Sequence, residues 1–535
     1  MKKKVVTLLF IVLSGYVSSF AATKYFFYVQ LANKSNSPYS ISNPTAYLSA
    51  RALQRRAQFN ISIDSTDLPV NPVYIAQIAN SNVTVYNRSK WLNGLTILVS
   101  DSSIVSQIRA LPFVSWAKYS GKIESSASLT RSKSKSEPQI AEYGSAAVQL
   151  NQVNASYLHN LGYTGKGVHI AVLDAGFLNV NTNVGFDSLR LQGRLLGTKD
   201  FTQKTANIYG SDSHGSNVLS IMAGNKPGQY LGAAPHASYW LIRTEYAPTE
   251  YLCETDFWVS GIEFADSVGV DVVNSSLGYT TFDDPVLNFT YANMNGKVSR
   301  ASRAATIASQ KGIIVCNSAG NEGNKTWKYI GSPADASGIV SVGGVTSTNE
   351  SSLFSSYGPT SDKRLKPDVS AMGTGTAYIN TSGSVASGSG TSYASPILAG
   401  MFACFLHYAK ANISSYTVNS VIDAVKRSAH LYPFPTAQMG YGIPDFEEAS
   451  KYFVSATNKP STSKAKISTF NKEIRIEFSS SQPHETSLYN VSGQLIYTNY
   501  NAQNSLVIST QRLNAGIFIL KIRNDSGTET IKIQL

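Results

Sequence analysis

Val168-His169-Ile170-Ala171-Val172-Leu173-Asp174-Ala175-Gly176 is an apolar run that ends on a carboxylate and two small residues. Continuous apolar runs without polar alternation suit strands buried on both faces of a parallel sheet. Three more follow: Ser238-Tyr239-Trp240-Leu241-Ile242, Val270-Asp271-Val272-Val273-Asn274 and Ile313-Ile314-Val315-Cys316. Helical patterns lie between them, for example over 256–268 and 299–310. This alternation predicts an α/β domain over 138–455, built on a doubly wound, mostly parallel sheet. Sites in such sheets form at the carboxyl ends of the strands, which is where Asp174 lies.

The flanks read differently. Residues 22–122 suit a small α+β unit, with strands at 25–31, 83–86, 94–99 and 114–117 and helices at 45–58 and 102–111. Residues 123–137 form a Ser/Lys-rich linker without apolar period, open to proteolytic cutting. A second linker spans 456–465, and the short strands and turns of 466–535 predict a small β-sandwich. At the other end, Lys2, Lys3 and Lys4 precede 13 residues from Val5 to Val17, and Ser19-Phe20-Ala21 follows with small residues at a cleavage site. Residues 1–21 therefore read as a secretory signal peptide. The apolar stretch falls short of the roughly 20 residues of a spanning helix.

Composition narrows the function. With 42% hydrophobic and 15% charged residues, the 535-residue chain can bury a core and is not a disordered polymer. The net charge of +12 divides into +11 over 1–137, −3 over 138–455 and +4 over 456–535. A nucleic-acid protein concentrates positive charge on its working domain, so nucleic acid is discounted as a partner. Cys253, Cys316 and Cys404 have no metal-type spacing and cannot form a disulfide scaffold. Cys316 suits a small core position. The basic helix carrying Arg51 to Arg56 reads as a solvated face.

Three segments of the middle domain converge on one chemistry. Asp174 ends its strand; Asp212-Ser213-His214-Gly215-Ser216-Asn217-Val218 opens a helical pattern; Gly388-Ser389-Gly390-Thr391-Ser392-Tyr393-Ala394-Ser395-Pro396 delivers Ser392 to a helix start. A serine hydroxyl is a poor nucleophile at neutral pH and needs a histidine to take its proton. The imidazole needs a buried carboxylate to fix its tautomer. The oxyanion that forms needs preorganised donors, and Ile313 to Gly323 ends a buried strand on Asn321 among small residues. His159, His169, His236, His407, His430 and His484 fall outside these segments and read as structural or solvated.

These motifs resemble the subtilases. The order Asp174, His214, Ser392 is the subtilisin order. Gly390-Thr391-Ser392-Tyr393-Ala394-Ser395-Pro396 resembles the serine motif, Ser318-Ala319-Gly320-Asn321-Glu322-Gly323 the oxyanion-asparagine motif, and 271–278 the substrate-binding strand. The resemblance covers about 310 residues. It implies Ser392 as nucleophile, His214 as general base and Asp174 as orienting carboxylate. It also implies an oxyanion hole from Asn321 and the Ser392 N–H. Ser276, Leu277 and Gly278 would pair with substrate backbone and, with Ser318, Ala319 and Gly320, wall the S1 pocket. Two departures are Ala175, where a small hydroxyl residue is usual, and Ser216-Asn217 in place of Thr-His. The chemistry requires no cofactor, and the Asp283-Asp284 pair reads as a solvated turn that can alternatively hold structural calcium, as subtilases often do.

The flanks carry their own resemblances. Residues 22–122 resemble a subtilase propeptide, which implies a zymogen with its own propeptide as inhibitor. Residues 466–535 resemble the sorting domain of the type IX secretion system, through 488–494, 513–521 and 532–535. This implies type IX machinery as a partner and a secreted or cell-surface protein that passes the periplasm and outer membrane. The leading expectation is a secreted serine endopeptidase acting on proteins or peptides. The alternative is a subtilase-fold binding protein without activity, against which the intact set of four groups argues. An α/β-hydrolase esterase is disfavoured, because Ser392 lacks the G-x-S-x-G context and the triad order differs.

Overall fold

The computed structural model describes residues 23–79, 83–123, 143–457, 465–470, 472–478, 483–490, 494–501, 503–511, 513–514, 516–524 and 527–535. The expected signal peptide, nearly all of the 123–137 linker and most of the 456–465 linker lie outside the described residues. The chain divides into two compact units. The first runs to Ser450, interrupted at 413–415, and the second holds Lys451–Leu535.

The first unit opens with β1 (Lys24–Leu31), α1 (Ala50–Gln58), α2 (Pro72–Ala79), β2 (Thr84–Ser89), β3 (Gly94–Val99), α3 (Val105–Arg109) and β4 (Val114–Ile123). The strands form an antiparallel sheet in the order β2-β3-β1-β4 over a core that includes Phe27, Val29, Ile78, Ile97 and Ile108. The helix expected over 45–58 begins only at Ala50. Ser49 caps it, its Oγ accepting the Ala52 N–H at 3.1 Å. The helix expected over 102–111 contracts to α3, entered through a short 3-10 turn capped by Asp101.

The solvated reading of the Arg51–Arg56 run is corrected. Arg55 and Arg56 are only 3% and 2% exposed. Both reach Asp266, at 2.5 and 2.8 Å, and Lys90 joins the same carboxylate at 3.2 Å. Arg56 also meets Asp67 at 3.0 Å. Buried guanidinium groups persist only when paired, and here the partner lies about 210 residues downstream. The α+β part is therefore docked on the following domain, and Trp91 and Leu92 enter that domain's core.

That domain contains β5 (His169–Asp174), β6 (Leu195–Asp200), α4 (His214–Ala223), β7 (Ser238–Arg243), α5 (Cys253–Val268), β8 (Val272–Ser275), α6 (Arg300–Gln310), β9 (Ile314–Ser318), β10 (Val340–Val345), β11 (Val369–Met372) and α7 (Thr391–Asn412). The strands form one seven-stranded sheet in the order β11-β10-β9-β8-β5-β7-β6, parallel throughout. All residues of β8, β9, β10 and β11 are buried, which explains why β8 and β9 read as continuous apolar runs; β6, β10 and β11, with Gly, Ser, Thr or charged residues among their apolar ones, were not read from sequence. The three cysteines are buried and unbridged.

The second unit is all-β beyond its leading helical turn. A three-stranded sheet pairs β12 (Lys466–Phe470), β13 (Glu473–Glu477) and β16 (Ser505–Ser509). A four-stranded sheet has the order β15-β14-β17-β18, from β14 (His484–Asn490), β15 (Leu495–Asn501), β17 (Ile517–Asn524) and β18 (Gly527–Gln534). Ile474, Ile476 and Ile508 of one sheet share a core with Leu488, Leu520 and Ile522 of the other, as a sandwich requires.

Candidate active site

Asp174 closes β5 and is fully buried. His214 opens α4, and its backbone N–H donates to Asp212 Oδ1 at 2.7 Å. Its Nδ1 lies 2.8 Å from Asp174 Oδ1, which also accepts the Ala175 N–H at 2.8 Å. This contact places the proton on Nδ1 and leaves Nε2 as the free base. Burial disfavours the charged ring. The charge and hydrogen bond of Asp174, helped by Glu245 and Asp212, outweigh it and hold His214 up at about 9.

Ser392 is the second residue of α7 and is 9% exposed. Its Oγ donates to the Ser276 carbonyl at 3.3 Å, and among the described residues no hydrogen bond joins it to His214. The helix starts at Thr391, so Pro396 lies inside it rather than within its first four amides. Proline has no N–H to give the carbonyl four residues back, which is that of Ser392. The Ser276 hydroxyl fills this gap, donating to Ser392 O at 3.0 Å. Asn274 completes the clamp, its Oδ1 accepting the Ser395 hydroxyl at 2.8 Å and its Nδ2 donating to Ser276 Oγ at 3.2 Å. Strand β8 and helix α7 are thus tied together at the serine.

Asn321 lies three residues beyond β9. Its Oδ1 accepts both the Thr391 N–H, at 2.8 Å, and the Thr391 hydroxyl, at 2.9 Å. Two donors on one oxygen fix the amide orientation and leave Nδ2 to face outward as a donor. Thr391 Oγ1 in turn accepts the Gly320 N–H at 3.1 Å. Gly320 sits at φ +110, where an added Cβ would lie 2.8 Å from Ser356 Oγ, so glycine is required there. Ser276-Leu277-Gly278 and Ser318-Ala319-Gly320 leave neighbouring parallel strands, with Ser275 paired to Asn317. Asn317 Nδ2 donates to the Leu277 carbonyl at 3.1 Å and joins the two segments. At the carboxyl edge of the sheet the structure joins His214 to Asp174, Ser392 to Ser276, Asn321 to the residue before Ser392, and the 276–278 segment to β9 through Asn317.

Of the two departures, Ser216 keeps a hydroxyl contact, donating to Leu178 O at 2.8 Å. Ala175 has no hydroxyl to give, and Asp174 Oδ2 is buried without a hydrogen-bond partner. Of the Asp283-Asp284 pair, Asp284 caps a 3-10 turn through the Val286 N–H, whereas Asp283 reaches across to the 244–252 loop and accepts the Glu250 N–H at 3.0 Å.

Sequence reading missed three acidic residues beside the dyad. One carboxylate oxygen each from Glu245, Glu250 and Glu254 lies within 4.8 Å of the others. Glu245 follows β7, and burial together with the Asp174 charge pushes its carboxyl up. Glu250 and Glu254 are raised too, by burial first and then by their acidic neighbours. Their signal in sequence was only the spacing of acids around the start of α5, which a helix N-terminus also explains.

The comparisons follow the same division of the chain. The subtilase family model matches residues 165–450. A Bacteroidota peptidase S8 propeptide model matches 26–139, and a secretion system C-terminal sorting domain matches 470–535. The sorting domain indicates type IX secretion and an extracellular or cell-surface location. Among the described residues no helix is long and apolar enough to cross a membrane. Subtilisin NAT of Bacillus subtilis subsp. natto is 30% identical over 260 residues, 48% of this chain and 60% of that protein. Subtilisin of Bacillus pumilus is 29% identical over 260 residues and is covered to 83% of its length. The chain thus spans about 60% of the first of these relatives. With the match at 165–450 extending over more than half the chain, and Asp174, His214, Asn321 and Ser392 gathered at one sheet edge, the chain belongs to the subtilase family.

Proposed function

We propose that this chain is a secreted serine endopeptidase made as a zymogen, with 22–122 as inhibitory propeptide, 138–455 as catalytic domain and 466–535 as export domain. The observation that carries this reading is the Asp174–His214 bond, set at the strand ends that also present Ser392 and Asn321. In the proposed mechanism the Ser392 hydroxyl exchanges the Ser276 carbonyl for His214 Nε2. His214 takes its proton as Oγ attacks the substrate carbonyl. The oxyanion is met by Asn321 Nδ2 and the Ser392 N–H. Collapse expels the amine, which takes the proton from His214, and leaves an acyl-enzyme that water then hydrolyses. Ser276 to Gly278 and Ser318 to Gly320 flank the substrate backbone and wall S1. Substrates are proteins or peptides, the propeptide is a partner in cis, and the secretion machinery acts through the tail.

Ser392→Ala tests this reading. It should lower kcat by about six orders of magnitude, the loss known for a subtilisin nucleophile, and leave a full-length precursor. Mature-sized product made by the purified variant alone would overturn the assignment. A fluorophosphonate probe should label Ser392 in the processed wild-type protein.

A further inference from the structure

Glu254 lies in the first turn of α5 and is only 1% exposed. Its two carboxylate oxygens accept the N–H groups of Tyr251, at 2.9 Å, and Tyr246, at 3.0 Å. These bonds fix the carboxylate and leave each oxygen a lone pair for a further ligand. Glu245 and Glu250 bring one oxygen each to within 4.8 Å of it. Among the described residues no lysine or arginine pairs with any of the three. Three carboxylates this close repel one another, and either protons or a cation between them relieves the repulsion.

Two further observations point to a ligand there. Glu250 Oε1 is buried and has no hydrogen-bond partner. The Tyr279 hydroxyl is also without partner, on a fully buried side chain, and its strongest charged neighbours are Glu245, Glu254 and Glu250, in that order. A buried phenol normally finds a partner. This one lies within electrostatic reach of all three carboxylates, one residue past Ser276-Leu277-Gly278.

We propose that Glu245, Glu250 and Glu254 hold a hard divalent cation, calcium fitting best, with the Tyr279 hydroxyl lining the site. The donors are all oxygen, which excludes soft thiolate-seeking metals. The three oxygens are close enough to share one ion at the 2.3–2.6 Å typical of calcium. Glu245 and Glu250 are partly open, so water can complete the shell. The ion would pin the 244–252 loop against the segment after β8, bracing the cleft from the side away from β9. Asp283 adjoins the site, its carboxylate accepting the Glu250 N–H at 3.0 Å, whereas Asp284 caps a separate 3-10 turn.

The test uses full-length Ser392→Ala protein, stripped of metal with a chelator and titrated calorimetrically with calcium. Glu245→Gln and Glu250→Gln, each in that background, should bind one ion fewer, or bind it at least about tenfold more weakly with one ligand charge removed. Crystals of the parent soaked in terbium should show an anomalous peak between the three carboxylates. Unchanged titrations in both folded variants overturn the proposal. A terbium-saturated crystal without that peak overturns it as well, whether or not the variants fold. If the variants keep their full metal content and the same substitutions made with Ser392 intact lose tenfold or more in kcat/KM only toward lysine- or arginine-containing peptides, the cluster is a pocket for a substrate cation and the metal site is refuted.

Discussion

His214 holds its proton against the pull of burial. Asp174 accepts from Nδ1 and lends the largest negative charge, to which Asp212 and, while it holds no cation, Glu245 add, so the ring is raised to about 9. Only the neutral ring can take the Ser392 proton, so kcat/KM should climb as pH rises toward 9, with its acid limb well above that of a free imidazole. The stability that the dyad contributes has the opposite course. It is full below about 6.5, where the unfolded histidine is also charged, and is lost as pH rises through about 9. Asp212→Asn keeps an acceptor for the His214 N–H while removing one charge, so the acid limb should move to lower pH. A pH–rate profile of the variant superimposable on the parent would show that Asp212 does not act on the ring.

At the scale of elements, the loop after β9 is set by one backbone position. Gly320 at φ +110 turns the chain so that its N–H meets Thr391 and Asn321 faces α7. Gly320→Ala puts a Cβ against Ser356 and a side chain in a backbone region that costs of order 1–3 kcal/mol. The variant should melt several degrees lower and lose kcat because the oxyanion donor shifts, with a change in KM as well because Gly320 walls the proposed S1 pocket. Loss of stability with kcat intact would detach the loop from catalysis. The motif around Asn321 was legible in sequence because its small residues are contiguous. The parallel sheet was legible for a similar reason at β5, β7, β8 and β9, which are apolar runs, but not at β6 or β10, where Gly with Thr, Lys or Ser breaks the run. Thr391 as the residue that orients Asn321 was not legible, because the contact spans 70 residues and no local period announces it. The Asn274–Ser276–Ser395 clamp was hidden in the same way, as was the partner of Arg55 and Arg56. A basic helix and a distant Asp266 look solvated until the fold joins them.

At the scale of the whole molecule, the α+β part docks on α5 through buried charge, and one member of that interface should titrate near neutrality. Glu263 of α5 accepts the Ser89 hydroxyl at 2.6 Å, the Lys90 N–H at 2.8 Å and the Trp91 N–H at 3.1 Å. Burial under this cover raises its carboxyl from an ordinary 4.5 to about 7, against the opposing charge of Lys90 and these hydrogen bonds. Once the cover leaves, Glu263 faces water and returns to the ordinary value. Docking therefore takes up a proton between those two values, and its affinity should fall as pH rises across that window, by up to about tenfold per pH unit. Asp266 acts in the other sense, since its depressed carboxyl favours docking at higher pH, but its change lies below about 4. His169, lowered to about 4 by burial and then by Arg51, also opposes the trend between about 4 and 6.5. Glu263→Gln cannot ionise and isolates the component in question. The measurement is inhibition of the processed enzyme by separately added residues 22–123, followed from pH 5 to 8. The parent should lose affinity more steeply than the variant as pH rises, and parallel slopes would mean that Glu263 keeps one protonation state in both forms. A more alkaline medium would then loosen the propeptide without any change in covalent structure.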